Sequence, residues 1–488
     1  MYRMPSKRKQ LIARIVTYSL MSVSVIVIAL FLIAIILGYR FDGKAGRIEQ
    51  SGLVQYNSTP GGAQVTIDGI KLGARTATSN TVLPGSHTFV MQRDGYEVWQ
   101  KTLNIQAGTL TALNYARLVP ISRPVQSVKA LPQLNQIKFS PKGRFALVHA
   151  VAASPDFTLY DLRNDNSVKQ TVLTLPPESY SQATTEGVVH TFAITEWDSS
   201  GRYVLIEHMY NDAVEWLILD TTDATATANV TQAFHMEFSQ PHFSGTSGNV
   251  LFAISNGDIR KIDRGDGTVS RPLASHVQSY DLYSTDVITY TTVYDPTTGS
   301  RSVGLVRDGD KDPYVLRTTK SPQSVPLHVA TARYFNQNYV VISEGTKVDV
   351  LAGDYPSSPD DTTSLRQFTS YTIDHAPDFL TMSYNGRFIL SQTGDMYTTY
   401  DLERSTVSPE NTMVGNGSAS QLQWLDDFYL WSDRSDKLTI GEFDGTNQHT
   451  INSVASGFDA TLSQNGTYLY SIGRTKDGYT LQRVRMIL

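Results

Sequence analysis

From residue 121 to the C-terminus the chain repeats one short pattern, and this repeat restricts the possible folds more than any other feature. The best copies read KFSPKGRFALV, EWDSSGRYVLI, TMSYNGRFILS and TLSQNGTYLYS: an apolar strand end, a polar turn with Gly, then an aromatic-led strand. Weaker copies, EFSQPHFSGTSGNVLFAI, DLYSTDVITYTT, YFNQNYVVIS and WLDDFYLWSD, keep the anchor and the following strand but blur the turn. With anchors at Phe139, Trp197, Phe238, Tyr283, Phe335, Met382, Leu425 and Leu462, the mean interval is about 46 residues, within the roughly 40–50 of four-stranded propeller blades. A second strand recurs between anchors, as in FTLYDLRND, WLILDTTD, DIRKIDRGDG, MYTTYDLER and LTIGEFDG, each ending in an acidic turn.

A four-stranded sheet of this size cannot bury both faces alone, so such units stack radially. The pattern predicts a β-propeller over 121–488 with eight blades, or seven if one weak copy is spurious. The last unit has room for only three strands, and PVQSVKAL at 124–131 is placed to supply the fourth and close the ring. The FSPKGRFALV and SYNGRFILS copies resemble the TolB-type propeller repeat, a resemblance that implies fold and not function.

The N-terminal 40 residues are of another kind. Ile15 to Tyr39 holds 25 residues without a charge, about 37 Å of helix against a hydrocarbon core of about 30 Å. Arg3, Lys7, Arg8, Lys9 and Arg14 precede it, whereas Arg40, Lys44 and Arg47 after it are mixed with Asp42 and Glu49. The positive-inside rule then predicts a cytoplasmic tail over 1–14, a transmembrane signal anchor over 15–39 and a linker over 40–52, with everything beyond on the extracytoplasmic side of a cell membrane. The flank LGYRFDGK lacks a small-x-small cleavage site, so the segment reads as an uncleaved anchor and not a signal peptide.

Residues 53–120 read as a small β-domain. AQVTID, HTFVMQ, KTLNIQ and TALNYARL alternate apolar and polar residues, and Asp68-Gly69, Pro84-Gly85 and Asp94-Gly95 supply turns between them. The order of STPGGAQVTIDG, then Leu83-Pro84-Gly85 with His87 two residues on, then Arg93-Asp94-Gly95-Tyr96 with Trp99 following, resembles the PEGA domain family. Two departures stand out. The namesake tetrapeptide is Pro60-Gly61-Gly62-Ala63, with Gly in place of Glu, and the usual Gly-x-Thr-Pro is replaced by Gly73-Ala74-Arg75-Thr76. The resemblance implies a non-enzymatic β-sandwich of the kind found in bacterial and archaeal envelope proteins, often beside a membrane anchor.

Little in the sequence signals chemistry. Cysteine is absent, which excludes disulfides, thiolate nucleophiles and Cys-ligated zinc. The ten histidines show no H-x-H or H-E-x-x-H spacing, and no G-x-S-x-G elbow occurs. Asp308, Asp310 and Asp312 have the alternate spacing that opens calcium loops, but Pro313 and Thr319 stand where an EF-hand needs Gly and a bidentate Glu, so a solvated turn is the better reading. The five N-terminal basic residues leave 36 basic against 46 acidic ones in the remainder, a balance that disfavours nucleic acid as a partner.

These features predict an all-β ectodomain on one transmembrane helix, without cofactor. The expected role is non-catalytic: a cell-surface protein that binds, or structurally supports, an envelope protein or glycan through its propeller. The alternative is a propeller hydrolase acting on envelope glycan or peptide, which would require carboxylates grouped at the channel mouth.

Overall fold

The computed structural model describes residues 7–488 apart from 37, 43–45, 183–186, 359, 362 and 414–420; Arg3 and Lys44 thus lie outside the described residues. Two compact units divide at Ser122/Arg123.

The first unit opens with the helix Lys7–Ile36. Its stretch Gln10–Ile35 is long and apolar enough to cross a membrane. The large apolar side chains that run along it from Leu11 to Ile35 are exposed, an arrangement that water penalises and a bilayer does not. The helix stops three residues short of the expected Tyr39, which instead opens a hairpin of Tyr39–Asp42 with Arg47–Gln50, so the expected linker over 40–52 is partly strand. Gly38, with φ of +83°, turns the chain there.

Two small sheets follow. Gly52–Thr59 lies between Thr78–Val82 and Leu110–Arg117, while the other sheet runs in the order Ile70–Arg75, Gln64–Ile67, Gly85–Gln92, Trp99–Ile105. Their inner faces bury Val54, Tyr56, Val65, Phe89, Met91, Trp99 and Leu113, with Trp99 edge-on to Tyr115 at 6.1 Å. The predicted turns sit at the sheet's reversals. Asp68 and Gly69 both take positive φ, +48° and +82°, as a two-residue hairpin demands. Pro84 precedes the strand that Gly85 opens, and Asp94 and Gly95 turn the chain before Trp99, closed by the Tyr96 N–H donating to the Arg93 carbonyl. Pro60-Gly61-Gly62-Ala63 links the two sheets, with Ala63 buried and its N–H donating to Thr76 Oγ1 at 2.9 Å.

The second unit is a β-propeller. Among its described residues, eight sheets follow one another, seven of four strands and the sixth with the short Asn411–Thr412 as a fifth, and seven of the eight start from the innermost strands at Gln136, His190, Ser239, Val277, Leu327, Phe379 and Gln423. The eighth takes Thr461–Leu462, Tyr468–Thr475 and Gly478–Arg485 from the end of the chain and Val125–Leu131 from the beginning of the unit. Apolar side chains interlock between neighbours, and the eighth blade packs on the first through Tyr470, Ile472 and Leu481 against Ile137, Ala146 and Val148. Blades one and two share Leu147, Phe157, Phe192 and Ile206 in the same way. Each of these sheets thus finds the partner that it needs to keep its apolar face from water.

The repeat has a local cause. In the turn after the innermost strand, one short side chain accepts the N–H that begins the next strand: Ser140 for Phe145 at 2.9 Å, Ser383 for Phe388 at 3.0 Å, Ser463 for Tyr468 at 3.0 Å and, by its carboxylate, Asp198 for Tyr203 at 2.8 Å. The Gly that follows takes positive φ, and at Gly143, Gly201 and Gly386 it leaves room for the preceding blade. A Cβ on Gly143 would stand 2.0 Å from the Leu462 carbonyl, and one on Gly386 2.5 Å from that of Arg333. In blades two and six the next residue, Arg, ties the turn to the acid that ends the third strand, whereas Arg144 of blade one donates to the Ser200 carbonyl of blade two. Arg387 meets Asp401 by two hydrogen bonds of 2.9 and 2.7 Å, with both side chains at most 5% exposed, whereas Arg202 of the matching Asp220 pair is half exposed.

Three of the eight anchors fall elsewhere than expected. Phe238 precedes its strand, which ends five residues later at Phe243; there the true turn is SGTSGN, and the HF-S that precedes it repeats the F-S of blade one. Phe335 lies one residue beyond its strand, at φ of +51° and 80% exposed, and Leu425 follows the buried Trp424 that does the anchoring. In the first and third cases an apolar residue near a strand end competes with the true one. Phe335 is apolar, yet it occupies a turn. Phe139, Trp197, Tyr283, Met382 and Leu462 stand at strand ends.

Removing one partner of a buried pair leaves an uncompensated charge, which costs about 3–5 kcal/mol, whereas a pair open to water contributes far less. Asp401→Ala should therefore shift the urea midpoint much further down than Asp220→Ala, measured by tyrosine and tryptophan fluorescence on the full chain.

Candidate functional site

The turns after the innermost strands gather at one end of the ring, and there they surround a funnel of about 960 Å³. Blade one contributes Lys138 and Phe139, blade two Glu196 and Trp197, blade six Tyr384, blade seven Trp424, Asp426 and Asp427, and blade eight Asp459 and Gln464. A shallower extension runs from Glu196 and Trp197 to Phe243, Leu282 and Thr285 of blades three and four. The volume falls within the range of small-molecule and peptide side-chain pockets.

Polar contacts stitch the mouth from blade to blade. Lys138 Nζ lies 3.4 Å from Asp459, joining blades one and eight. Glu196 accepts from His242 Nδ1 at 2.7 Å and from the Phe243 N–H at 3.2 Å, joining blades two and three. Gln136 both donates to the Ile194 carbonyl and accepts from its N–H. The Tyr384 hydroxyl donates to the Trp424 carbonyl at 3.0 Å, while the side chain as a whole is 72% exposed within the funnel.

Protein crowds out bulk water here and shifts the titrating groups. It raises the carboxyls of Asp281, Asp427 and Asp459, which Lys138 only partly offsets at Asp459 and which neighbouring Asp426 reinforces at Asp427. It also raises the Tyr384 phenol, with Asp426, Asp427 and Asp459 adding to the effect. Crowding opposes protonation of His242, yet the hydrogen bond to Glu196 and the charges of Glu196 and Asp281 outweigh it and raise the imidazole.

At the opposite end of the blade-two strand His190–Trp197 lies a second constellation. Ser181 Oγ and Gln232 Nε2 donate to Glu215, Glu215 accepts from His208 Nδ1 at 3.0 Å, and His208 Nε2 faces His190 Nδ1 at 2.9 Å. His208 is buried between stacked Phe192 and His190 rings. Burial opposes the charge of Glu215, but its hydrogen bonds from His208 and Ser181 prevail and take it down to about 2. The network ends on the half-buried imidazole of His190, flanked by the rings of Tyr180 and Tyr210, and it orders this end of the blade.

The acidic turn at 308–312 does not converge on a point. Asp308 pairs with Lys261 of blade three at 2.7 Å, Asp310 folds back on Arg307, and Asp312 is exposed. Among the described residues no three His, Asp or Glu side chains could hold a metal.

The funnel residues were not singled out in the sequence, although a signal exists. Lys138, Glu196, His242, Gln423 and Thr461 each stand one residue before a strand-end side chain, at the same repeat position. Placing the third anchor at Phe238 and the seventh at Leu425 hides His242 and Gln423 from that alignment.

A family model matches part of the chain: the PEGA domain, over residues 51–119. Residues 51–119 are thus similar to PEGA domains. The match spans both small sheets, including the strand Gly52–Thr59. No curated protein matches the chain. Among solved structures the similar ones include a Dos1 propeller (11% identity, TM-score 0.45, 74% of this chain and 96% of that one) and the β-propeller domain of Swd1 from Myceliophteria thermophila (9%, 0.39, 75% and 99%). An oligogalacturonate lyase in complex with manganese is also similar (10%, 0.41, 73% and 98%). These likenesses concern the fold.

Burial lowers the imidazoles of His149, His190 and His328, so each stays neutral in the fold where the unfolded chain binds a proton. The unfolded state therefore takes up more protons as the pH falls below about 6.5, and stability falls with it. His242 acts in the opposite sense, since its raised pKa adds stability below its unfolded value that is lost as the pH rises through the folded one. Among the imidazoles three groups against one predict a net loss on acidification, which the raised carboxyls of Asp281, Asp427 and Asp459 oppose by taking up protons in the fold. Thermal melts should show a lower midpoint at pH 5.5 than at pH 7.5, and His149→Gln should shrink that difference; for one fully buried imidazole the slope is at most about 1.4 kcal/mol per pH unit.

Proposed function

We propose that the chain is a non-catalytic binding protein of the cell envelope, anchored by its N-terminal helix with the N-terminus cytoplasmic and both β-units outside. The observation that carries the binding role is the funnel. It combines an exposed aromatic ring, Tyr384, with carboxylates and amides from blades two, seven and eight in one opening of ligand size. Propellers hold such loops on rigid strands, which keeps a recognition surface preorganised. The anchor rests on the exposed apolar helix and on the basic residues before it. Hydrolysis finds less support, because the carboxylates of the mouth are engaged by Lys138, His242 and backbone N–H groups.

Two measurements test this. Soluble peptide and glycan fractions of the cell envelope, titrated into the full chain in lipid nanodiscs, should bind saturably and unchanged, and Tyr384→Ala should abolish binding without lowering the melting midpoint. Cleavage of the bound material would establish the hydrolase instead. For topology, protease added to intact spheroplasts should remove the chain beyond residue 40, and full protection would overturn the orientation.

A further inference from the structure

Resting on the reading of the funnel as a binding site, we propose that its ligand is a basic polypeptide segment, which places a lysine or arginine side chain against Asp427 and the ring of Tyr384. Three observations converge on this chemistry.

The first is charge. The lining holds Glu196, Asp426, Asp427 and Asp459 against Lys138 and Lys142. Lys138 is held by Asp459 and Glu196 by His242, whereas the carboxyl of Asp427 has acidic Asp426 beside it and the Asn385 N–H as its hydrogen-bond donor. A carboxylate crowded by protein and by a like charge is stabilised most by a cation, so an anionic polymer is repelled and a neutral sugar leaves the charge uncompensated.

The second is the exposed ring. Tyr384 is 72% exposed although it is anchored through its hydroxyl to the Trp424 carbonyl. Its orientation is thus set while its face stays open, and Asp426, Asp427 and Asp459 are near enough to raise its phenol. An aromatic face beside carboxylates suits a guanidinium or an ammonium group, which the ring quadrupole and the negative charges attract together.

The third is a donor. Trp424 lines the funnel and is only 6% exposed, yet its indole N–H has no hydrogen-bond partner among the described residues. Buried N–H groups are rarely left so, and the unmet donor calls for an acceptor. A simple amine offers none. A peptide offers a backbone carbonyl along with its cationic side chain, and so meets both demands in one molecule.

The test uses the full chain in nanodiscs of neutral lipid and isothermal titration calorimetry. Its probes are an acetylated and amidated peptide Gly-Gly-Arg-Gly-Gly, the same peptide with citrulline for arginine, and a neutral chitooligosaccharide. The arginine peptide should bind saturably, at least about tenfold more tightly than the citrulline peptide, and less tightly as salt is raised. Asp427→Asn should weaken arginine-peptide binding by about tenfold and leave the citrulline peptide unaffected, with an unchanged melting midpoint showing that the variant is folded. Equal binding of both peptides, or oligosaccharide binding alone, overturns the cationic ligand; if Tyr384→Ala abolishes that binding, the funnel remains the site. Binding that neither Tyr384→Ala nor Asp427→Asn alters overturns the funnel itself, and absence of any binding overturns the proposal.

Discussion

One pairing holds the propeller closed, that of Val125–Leu131 with the strand Gly478–Arg485. A stack of twisted sheets has two ends, each with an apolar face that water penalises. Lending the first strand to the last sheet joins those ends by backbone hydrogen bonds and brings Leu131 and Leu134 into the same core as Ile472 and Leu481. The mouth of the funnel follows from the same closure, because Lys138 of the first blade can meet Asp459 of the last only when the two are neighbours.

Stability and the lining of the funnel use the same turns through different residues. Ser140, Ser383 and Ser463 commit their hydroxyls to the backbone, and Gly143 and Gly386 give the close approach to the preceding blade. These positions repeat because the geometry they meet repeats. The residue before each strand end is under no such demand. It is Lys in blade one, Glu in blade two, His in blade three and Gln in blade seven, so this end of the ring acquires varied side chains while the strands beneath stay alike.

Much of this architecture was legible because its causes are local. Asp68-Gly69 announces its hairpin through the positive φ that both residues adopt, and Ser-x-x-Gly before an aromatic residue announces a blade turn. Where local signals compete, the reading slips. Phe238 and Phe243 are both aromatic and near a strand, and only the pairing of Phe243 with Leu251 separates them. The strands Gly52–Thr59, Ile70–Arg75 and Thr78–Val82 went unread for different reasons. The first alternates cleanly between buried and exposed positions, but the other two are short and patterned too weakly to stand out, Ile70–Arg75 being mostly exposed and Thr78–Val82 mostly half-buried.

Side-chain period, turn stereochemistry and the count of available strands already dictate the apolar helix, the all-β character, the blade turns and the need for a borrowed strand. Which side chains face one another across the axis is settled by the tertiary arrangement alone. Asp427, Tyr384 and Trp424 stand near one another in the chain order of blades six and seven, yet Lys138, Glu196 and His242 reach the same end of the ring from blades one to three. No local rule encodes that meeting, because it arises from the closure of the ring, which converts a position within the repeat into a position around a single funnel.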